Sequence, residues 1–497
     1  MLATARSFTL DGLAVHAVSV EVDVTRGLPS FGLVGLPDTA IREARERVRS
    51  AMVNSGFEFP MRRITANLAP ADIRKNGPGM DLAIAVALAS ASGEIPATLP
   101  GAWALIGELA LDGSVRPVRG ALAMAECARK QGLDGMVVPE ANGPEAALVA
   151  CEEFEVRSVS SLAEIRVLGE GGLPGRHPEP MELATAHTGP DLADLKGQPG
   201  LRLALEVAAA GGHGLLIVGP PGAGKTMGAR RLPSILPDLS REEALEITRI
   251  AGICGNPSTP GARPFRAPHH TVSAAGLVGG GSPPRPGEIT LAHRGVLFLD
   301  ELCEFRRPAL EALREPLEAG EVTISRATGS QTLPAGFLLV AAANPCPCGR
   351  GSTDPHCECS AHAVGRYRNT LSGALSDRID ITVSVEQPGL EAMSASSGEG
   401  SASVRERVSA ARKRMEARLG PGRGNAAASP TETAAFPITD EGNALLVEAD
   451  RRRTFSGRSH DRVVRLAMTL ADLEGESRIS ASHVAGALQL RRREAAT

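Results

Sequence analysis

Two hydrophobic periods organise the first third of the chain and predict a mixed α/β domain. Across residues 13–24 apolar and polar residues alternate, which is typical of a half-buried strand. Across residues 39–54 apolar residues recur at helical spacing among Arg and Glu. The pattern beyond them predicts a helix at 82–92, a hairpin turn at 112–113, a helix at 122–131 and a strand at 135–139.

A short apolar run at Leu215–Val218 is followed at once by a glycine-rich loop. The run predicts a buried strand and the residues after the loop favour a helix, so a chance glycine-rich turn is disfavoured. Backbone N–H groups of such a loop surround phosphates, Lys225 reaches the β- and γ-phosphates, and the Thr226 hydroxyl ligates Mg²⁺. The predicted nucleotide-binding residues are Gly219, Pro220, Pro221, Gly222, Ala223, Gly224, Lys225 and Thr226.

A second apolar run, Val296–Leu299, ends in two carboxylates, Asp300 and Glu301. A buried strand of this kind places its terminal acid in a Mg²⁺ shell and the next acid near a water molecule. An ordinary acidic turn would have the same sequence. Because the phosphate loop is also present, we predict that Asp300 binds Mg²⁺ and that Glu301 is catalytic.

Composition limits the classes of function. With 497 residues the chain is long enough for about three domains. The net charge of −4 and the single Trp and Tyr exclude a strongly basic protein and leave little aromatic surface for stacking bases. The amino terminus lacks a leader pattern and no apolar stretch is long enough to cross a bilayer. We therefore expect a cytoplasmic protein without membrane contacts.

Changes in composition also suggest the domain boundaries. Gly and Pro are frequent around residues 168–200, and Ser, Gly and Glu dominate residues 389–400. Helical patterns with basic residues follow. We predict a first domain at 1–170, a linker at 171–193, a nucleotide-binding core at 194–390, and a linker with a helical lid at 391–497.

A set of motifs in the second half of the chain resembles the ComM/YifB family of magnesium-chelatase-like AAA+ ATPases. The motifs lie at residues 209–213, 219–226, 263–271, 286–289, 296–302, 344–349 and 376–380. The resemblance implies an AAA+ P-loop ATPase core with a helical lid that uses ATP and Mg²⁺. It also implies a homo-oligomeric ring, expected to be a hexamer, that acts on branched or forked DNA.

The same resemblance assigns further site residues. Asn344 matches the first sensor, which orients the attacking water, although an asparagine that caps a turn is the alternative. Arg378 matches the arginine finger offered to a neighbouring subunit. The three residues at 374–376 depart from the family pattern, and an ion pair of Arg378 with Asp377 or Asp380 is the alternative.

The second sensor has two candidates at the start of a predicted lid helix. Residues 456–459 resemble the motif that carries a lid arginine onto the phosphates, which favours Arg458. Arg462 lies one turn further along the same face and competes with it. The densest basic run in the chain lies just upstream, at 405–418, and is either a solvated helix face or a DNA contact.

The first domain is similar to the Lon protease domain at residues 75–79 and 106–118. In Lon a serine and a lysine form the catalytic dyad, because the amine takes the proton of the hydroxyl. Gly79 and Leu122 stand at those positions here. We therefore predict a Lon-protease-like α/β domain that lacks the dyad and does not hydrolyse peptides.

Four cysteines lie together between the first sensor and the arginine finger. They form two Cys-x-Cys pairs, Cys346 with Cys348 and Cys357 with Cys359. Such a set either holds a structural zinc ion or remains as four reduced thiols. A histidine pair, His269 and His270, is either a metal ligand pair or, as we favour, a device that orders a loop.

Together these features predict an ATP-hydrolysing ring motor on branched DNA, a branch-migration helicase in recombination and natural transformation. The DNA part rests on the family resemblance alone. A chelatase-type motor subunit and a MoxR-like protein-remodelling ATPase are the alternatives. The Lon-like first domain argues against the chelatase alternative, because chelatase motors lack it.

Overall fold

The computed structural model of the chain consists of two compact units. The residues that it describes are 1–96, 102–184, 189–255, 260–281, 285–326, 329–351, 355–373, 375, 378–389, 398–453 and 456–491. The first unit comprises Met1–Ala184, Arg241–Gly261 and Gly281–Arg285. The second unit comprises Thr185–Ser240, Ala262–Gly280 and Pro286–Thr497. A segment from the middle of the sequence therefore belongs to the first unit, which the division predicted from composition did not anticipate.

Within its described residues, the first unit contains a seven-stranded mixed sheet of order β3-β4-β2-β1-β5-β8-β9. Strand β2 pairs antiparallel with β1 and β4, and the remaining pairs are parallel. A separate antiparallel hairpin joins β6 to β7. The strands are β1 (Leu2–Asp11), β2 (Ala14–Thr25), β3 (Ser30–Val34), β4 (Arg63–Ala69), β5 (Trp103–Leu105), β6 (Glu108–Leu109), β7 (Val115–Arg116), β8 (Gly135–Pro139) and β9 (Glu155–Val159).

The helices of the first unit pack on this sheet. The helix Asp81–Ser92 is buried on every side, since its residues from 81 to 91 are all buried, and its many alanines allow close approach to β1 and β2. The α-helices are Thr39–Arg42, Ala44–Asn54, Asp81–Ser92, Ala121–Lys130, Gly143–Ala146 and Arg241–Cys254, with 3₁₀ turns at Glu140–Asn142, Ala147–Val149 and Leu162–Glu170. The predictions of a strand near 13–24, helices near 82–92 and 122–131, and a turn at 112–113 are confirmed.

The helix Arg241–Cys254, named here the inserted helix, packs against the helix Ala121–Lys130. Its acidic first turn and its Ile residues fit a helix with one buried face, because Ile247, Ile250 and Ile253 are all buried. An ion pair joins Arg249 to Glu126 at 3.1 Å. The inserted helix is thus an integral part of the first unit.

The second unit is built on a sheet that, within the described residues, has five parallel strands in the order β11-β14-β17-β10-β18. Because the strands are parallel, all their carboxyl ends lie at one edge. A hairpin of β15 and β16 lies outside this sheet. The strands are β10 (Leu215–Val218), β11 (Phe265–Arg266), β12 (Gly279–Gly280), β13 (Arg285–Pro286), β14 (Val296–Leu299), β15 (Glu321–Arg326), β16 (Gly329–Pro334), β17 (Leu338–Ala343) and β18 (Ile381–Ser384).

Helices cover the sheet and continue into a helical lid. The sheet helices are Pro199–Gly211, Lys225–Ile235, Ala274–Val278, Glu288–Leu291, Arg307–Glu311, Arg314–Ala319 and Ala361–Gly373. The lid helices are Ser401–Leu419, Pro430–Ala434, Asp440–Arg453, Gly457–Glu474 and Ala481–Leu490, and 3₁₀ turns lie at Leu192–Asp194, Leu302–Glu304 and Asn425–Ala427. Sheet residues such as Ile217 and lid residues such as Val408 and Leu466 belong to one hydrophobic core. The lid is therefore packed onto the nucleotide-binding sheet.

Candidate nucleotide-binding site

The glycine-rich loop follows strand β10 and leads into the helix Lys225–Ile235. Gly222 and Gly224 have φ of 80° and 85°, a region that residues with a Cβ rarely adopt. A Cβ at Gly219 would lie 2.3 Å from the carbonyl oxygen of Val385, so only glycine fits there. The loop therefore presents backbone N–H groups at the positive end of a helix, which is a favourable place for phosphate.

Lys225 bonds to the loop that precedes it. Its Nζ donates to the carbonyl oxygens of Gly219 at 2.6 Å and Pro220 at 3.0 Å, and to Oδ1 of Asn344 at 2.9 Å. Burial lowers the pKa of Lys225, and the negative charges of Asp300 and Glu301 oppose that shift. The structure thus brings the predicted phosphate-binding lysine and the predicted first sensor into direct contact.

Two oxygen ligands suited to Mg²⁺ meet between β10 and β14. The Thr226 hydroxyl donates to Oδ2 of Asp300 at 2.8 Å. Hydroxyl and carboxylate oxygens are hard donors of the type that Mg²⁺ prefers. The donor set therefore fits the ion that the sequence predicts.

Glu301 has an unusual backbone next to this pair. Its φ of 52° lies in the left-handed region, which is uncommon for a residue with a side chain. Its N–H donates to Oδ1 of Asp300 at 3.0 Å, and its side chain is about half exposed. Backbone of this kind is concentrated at functional sites, and here it lies directly after Asp300, just beyond the end of strand β14.

His270 is a neighbour of this site that the sequence did not reveal. Its Nδ1 lies 3.3 Å from Oε2 of Glu301, and its ring packs against His269 with centroids 4.1 Å apart and against Phe305 with centroids 6.5 Å apart. His269 is in turn bonded to Thr271 at 2.9 Å. The favoured interpretation, a histidine pair that orders a loop, agrees with this packing. The contact with Glu301 is additional, and no sequence signal indicated it, because it depends on β11 pairing beside β14.

Arg378 lies apart from the phosphate loop contacts. It forms an ion pair with Glu318 of the same chain. Burial lowers the pKa of Arg378, helped by the positive charges of Arg462, Arg458 and Arg314 and opposed by Asp380. The ion pair of Arg378 is therefore with Glu318 and not with the expected Asp380. The other expected partner, Asp377, lies outside the described residues. The structure gathers the arginine-finger candidate and both second-sensor candidates into one basic cluster.

The two second-sensor candidates differ in their surroundings. Arg462 is buried and its Nε lies 3.6 Å from Oδ1 of Asp380. Asp380 also bonds to Nδ1 of His213 at 2.9 Å, and Nε2 of that ring bonds to Thr469 at 2.8 Å. Burial opposes ionisation of Asp380, but the bond from His213 and the nearby positive charges keep the pKa of Asp380 below its usual value. Arg462 thus joins lid to sheet, whereas Arg458 is exposed in the first turn of the helix Gly457–Glu474.

The four clustered cysteines come together directly after Asn344. Every one of their Sγ atoms lies within 4.8 Å of the others, and Cys346 is buried. The Cys346–Cys348, Cys346–Cys357 and Cys348–Cys357 sulfur separations are 3.3, 3.8 and 3.7 Å. The Cys-x-Cys pairs therefore form one four-sulfur cluster, with Cys359 as the fourth member, rather than two separate pairs.

The basic run of the helix Ser401–Leu419 is largely committed to contacts within the chain. Arg407 forms ion pairs with Glu206 and Glu399, and Arg418 pairs with Asp472. Arg412 and Arg414 donate to backbone carbonyls, at 3.0 and 2.8 Å. These contacts favour a structural role for the run over a DNA-binding role.

The positions that carry the Lon dyad differ in burial: Leu122 lies in the core, whereas Gly79 is half-buried and a Cβ there would make only ordinary contact with Val118. Leu122 is 1% exposed, and the carbonyl of Gly79 accepts the N–H of Gly107 at 2.8 Å. The nearby Lys75 is completely buried and donates to the carbonyl of Pro70. Two residues after Gly79, the buried Asp81 accepts from Nε of Arg47 at 2.7 Å.

The parallel sheet, with the phosphate loop, Asp300 and Asn344 at the carboxyl ends of three neighbouring strands, defines the class of magnesium-chelatase-like AAA+ ATPases. The family model of the magnesium chelatase subunit ChlI matches residues 191–393. A model of subunit ChlI of Mg-chelatase matches 20–142, and the ChlI carboxyl-terminal model matches 398–491. These matches cover parts of both units.

Relatives align along nearly the whole chain. An uncharacterized protein of Mycobacterium tuberculosis is 45% identical over 505 residues, covering 99% of this chain and 98% of that protein. YifB of Escherichia coli is 41% identical and the competence protein ComM of Haemophilus influenzae is 40% identical, each covering 97% of this chain and 95% of the relative. The chain belongs to the ComM/YifB family.

A weaker similarity concerns Lon proteases. The Lon protease of Mycolicibacterium smegmatis is 25% identical over 171 residues, which cover 32% of this chain and 22% of that protein. This agrees with the Lon-like character predicted for the amino-terminal region. In the part of the chain that the structure describes, no helix is both long enough and apolar enough to span a bilayer.

Proposed function

We propose that the protein is an ATP-hydrolysing ring motor that moves branched DNA in the cytoplasm during recombination of incoming strands. The observation that carries the motor part is the meeting of Lys225, Asp300 and Asn344 at three adjacent strand ends. The DNA part rests on the family, one member of which is named a competence protein.

In the proposed reaction each residue near the phosphate loop has one task. The loop N–H groups and Lys225 bind the phosphates, and Lys225 exchanges its present carbonyl acceptors for phosphate oxygens. Thr226 and Asp300 would hold Mg²⁺, which supplies positive charge against the phosphate oxygens when bound. Glu301 accepts a proton from water, and Asn344 orients that water. Since Glu301 now contacts His270, that contact must loosen before Glu301 reaches the water.

The ring is proposed because Arg378 pairs with the partly exposed Glu318 and lies in a basic cluster with Arg458 and Arg462. A neighbouring subunit's nucleotide would supply the anion that such a cluster favours. In this proposal Arg378 pairs with Glu318 in the isolated chain, and this ion pair breaks when subunits assemble into the proposed hexamer. Arg458 is exposed in the first turn of its lid helix, and we assign it the role of second sensor.

The first unit is proposed to serve binding or assembly and not peptide hydrolysis. Both dyad positions carry residues without a nucleophile or base, and Leu122 is packed in the core. A chelatase-type motor subunit is the second candidate, because the matching family models carry the ChlI name. The full-length matches to YifB and ComM favour the DNA motor.

The test is ATP hydrolysis by the purified full chain with no effector, forked DNA, a four-way junction, or unfolded protein. We expect the junction to stimulate turnover and to be resolved in an ATP-dependent gel assay. Lys225→Ala should lose both signals, because a lost phosphate contact costs on the order of 10²–10³ in rate. Turnover that ignores junction DNA but rises with unfolded protein would overturn the DNA proposal and favour the MoxR-like alternative.

A further inference from the structure

The four-cysteine cluster has the dimensions of a single tetrahedral metal site. Zinc–sulfur bonds are about 2.3 Å long, so the sulfurs of a tetrahedral site are about 3.8 Å apart. The separations of 3.3, 3.8 and 3.7 Å and the 4.8 Å upper limit for the set match that tetrahedron. A disulfide would need sulfurs about 2 Å apart, and these three separations are all far longer.

Backbone groups of the same loop already point at the sulfurs. The N–H of Gly351 donates to Sγ of Cys346 at 3.2 Å, and the N–H of Arg350 bonds to the sulfur of Cys348. N–H donors of this kind stabilise thiolate charge and orient metal ligands. The loop therefore supplies both ligands and outer-shell support.

The loop also touches the nucleotide-binding site directly. Gly349, at φ 83°, approaches so closely that a Cβ there would lie 2.9 Å from Cδ of Pro221 in the phosphate loop and 4.0 Å from Cγ of Asn344. The carbonyl of Pro221 is held from another side by Nε2 of Gln387 at 2.8 Å. Gly349 therefore lies against Pro221, and a side chain at position 349 would displace one of the two.

We propose that Cys346, Cys348, Cys357 and Cys359 bind one structural Zn²⁺, and that the ion holds residues 346–351 as a rigid wall that fixes Pro221 and Asn344 for nucleotide binding. All-sulfur tetrahedral coordination selects zinc, or iron, over the hard cations. Because all four sulfurs cluster around one point, the geometry fits one ion and not the wider core of an iron–sulfur cluster. The second clause rests on the proposed nucleotide site, whereas the metal site stands independently of it.

The metal is tested first, on the full chain purified without added metal. We expect one zinc ion per chain by elemental analysis and loss of that zinc in Cys346→Ser and Cys357→Ser. The matched control is Cys151→Ser, an exposed cysteine outside the cluster, which should keep its zinc. Replacement by Co²⁺ should give the absorption of tetrahedral cobalt thiolate. A chain without metal whose four cluster thiols react freely, or one with stoichiometric iron, would overturn the zinc assignment.

The role of the zinc-bound loop as a wall of the nucleotide site is tested by measuring the binding of a fluorescent ATP analogue. This measurement does not require hydrolysis. Removing zinc with a chelator should weaken binding severalfold, and adding zinc back should restore it. Cys359→Ser should behave like the chelated protein, while Cys151→Ser should not. Unchanged nucleotide affinity after verified zinc loss would overturn the wall while leaving the metal site intact. If the intact zinc-loaded chain fails to bind ATP, the proposed function fails instead, so the two failures are distinguishable.

Discussion

The phosphate-loop site of the second unit and the Lon-dyad positions of the first unit differ in the polar side chains that they present. In the second unit Lys225 bonds to loop carbonyls and to Asn344, and Thr226 bonds to Asp300, all at the carboxyl edge of the sheet. In the first unit the positions of the Lon dyad are a glycine and a buried leucine. The charged group beside them, Asp81, accepts from Arg47 and from the N–H of Leu109 and is closed off from solvent.

The difference teaches what distinguishes a reactive site from a structural one. A buried charge is tolerated when its bonds are satisfied within the fold, and then it has no capacity left for a ligand. The site of the second unit keeps that capacity, because Lys225 bonds to loop carbonyls and Glu301 remains half exposed. Mutations in the second unit should therefore change rates, and mutations near Asp81 should change stability.

The largest expected effect tests whether the site of the second unit is shared between subunits. Arg378→Ala should lower turnover by about 10³–10⁵-fold, the usual contribution of an arginine finger. Mixing Arg378→Ala with Lys225→Ala chains should restore part of the activity, because some interfaces then combine an intact lysine with an intact arginine. Turnover is measured by phosphate release.

The matched control is Arg129→Ala, an exposed arginine at the end of a first-unit helix, which should leave turnover unchanged. If Arg378→Ala remains active, or mixing restores nothing, Arg378 acts within its own chain. Its ion pair with Glu318 would then be its main role.

The next effect tests the structural half of the comparison. Arg47→Ala leaves Asp81 buried without its charged partner, which should destabilise the first unit by about 3–5 kcal/mol. Thermal unfolding and urea unfolding measure the loss. Arg129→Ala, which removes an exposed arginine, again serves as the control and should leave the free energy of unfolding almost unchanged.

This loss should depend on pH with a defined sign. Burial raises the pKa of Asp81 from 3.8 to about 6, against the opposing effect of Arg47. A raised carboxyl pKa contributes stability below its unfolded value and loses it as the pH rises through the folded value. Without Arg47 the pKa of Asp81 rises further, so the variant should be closer to wild type at pH 4 than at pH 8. A pH-independent difference would contradict the proposed buried carboxylate.

The smallest effect concerns the contact between His270 and Glu301. A partly exposed pair contributes about 0.2–1 kcal/mol, so His270→Ala should raise basal turnover by at most about fivefold and reduce stimulation by DNA. His269→Ala is the comparison variant: its ring bonds to Thr271 and packs on His270, so it should give a smaller change than His270→Ala. A His270→Ala chain with unchanged basal and stimulated rates would show that Glu301 is not restrained.

The sequence predicted the parts of the fold and site that depend on local pattern. The phosphate loop and Asp300 could be placed because each follows a short apolar strand, and the bond between Thr226 and Asp300 agrees with that placement. The helix Asp81–Ser92 and the strand Gly135–Pro139 could be placed because most of their residues are apolar.

What the sequence missed depends on distant parts of the chain meeting. Glu318 as the partner of Arg378 and His270 beside Glu301 are set by how strands and helices pack, and neither has a periodic signal. The same holds for the arginines of the helix Ser401–Leu419, whose carboxylate partners Glu206 and Asp472 lie far away in sequence. The inserted helix has a clear amphipathic pattern, but no pattern states which unit it covers.

The inserted helix has a practical consequence for dissecting the molecule. A fragment that starts after residue 184 would carry Ile247, Ile250 and Ile253 without the first-unit surface that buries them. A fragment that ends at residue 184 would expose the surface of the helix Ala121–Lys130 that the inserted helix covers. Both fragments should aggregate in solution through these exposed apolar surfaces. Expression boundaries drawn by cutting the chain once are therefore unsuitable, and a separable version needs residues 241–261 replaced by a short polar bridge or transplanted along with the amino-terminal half.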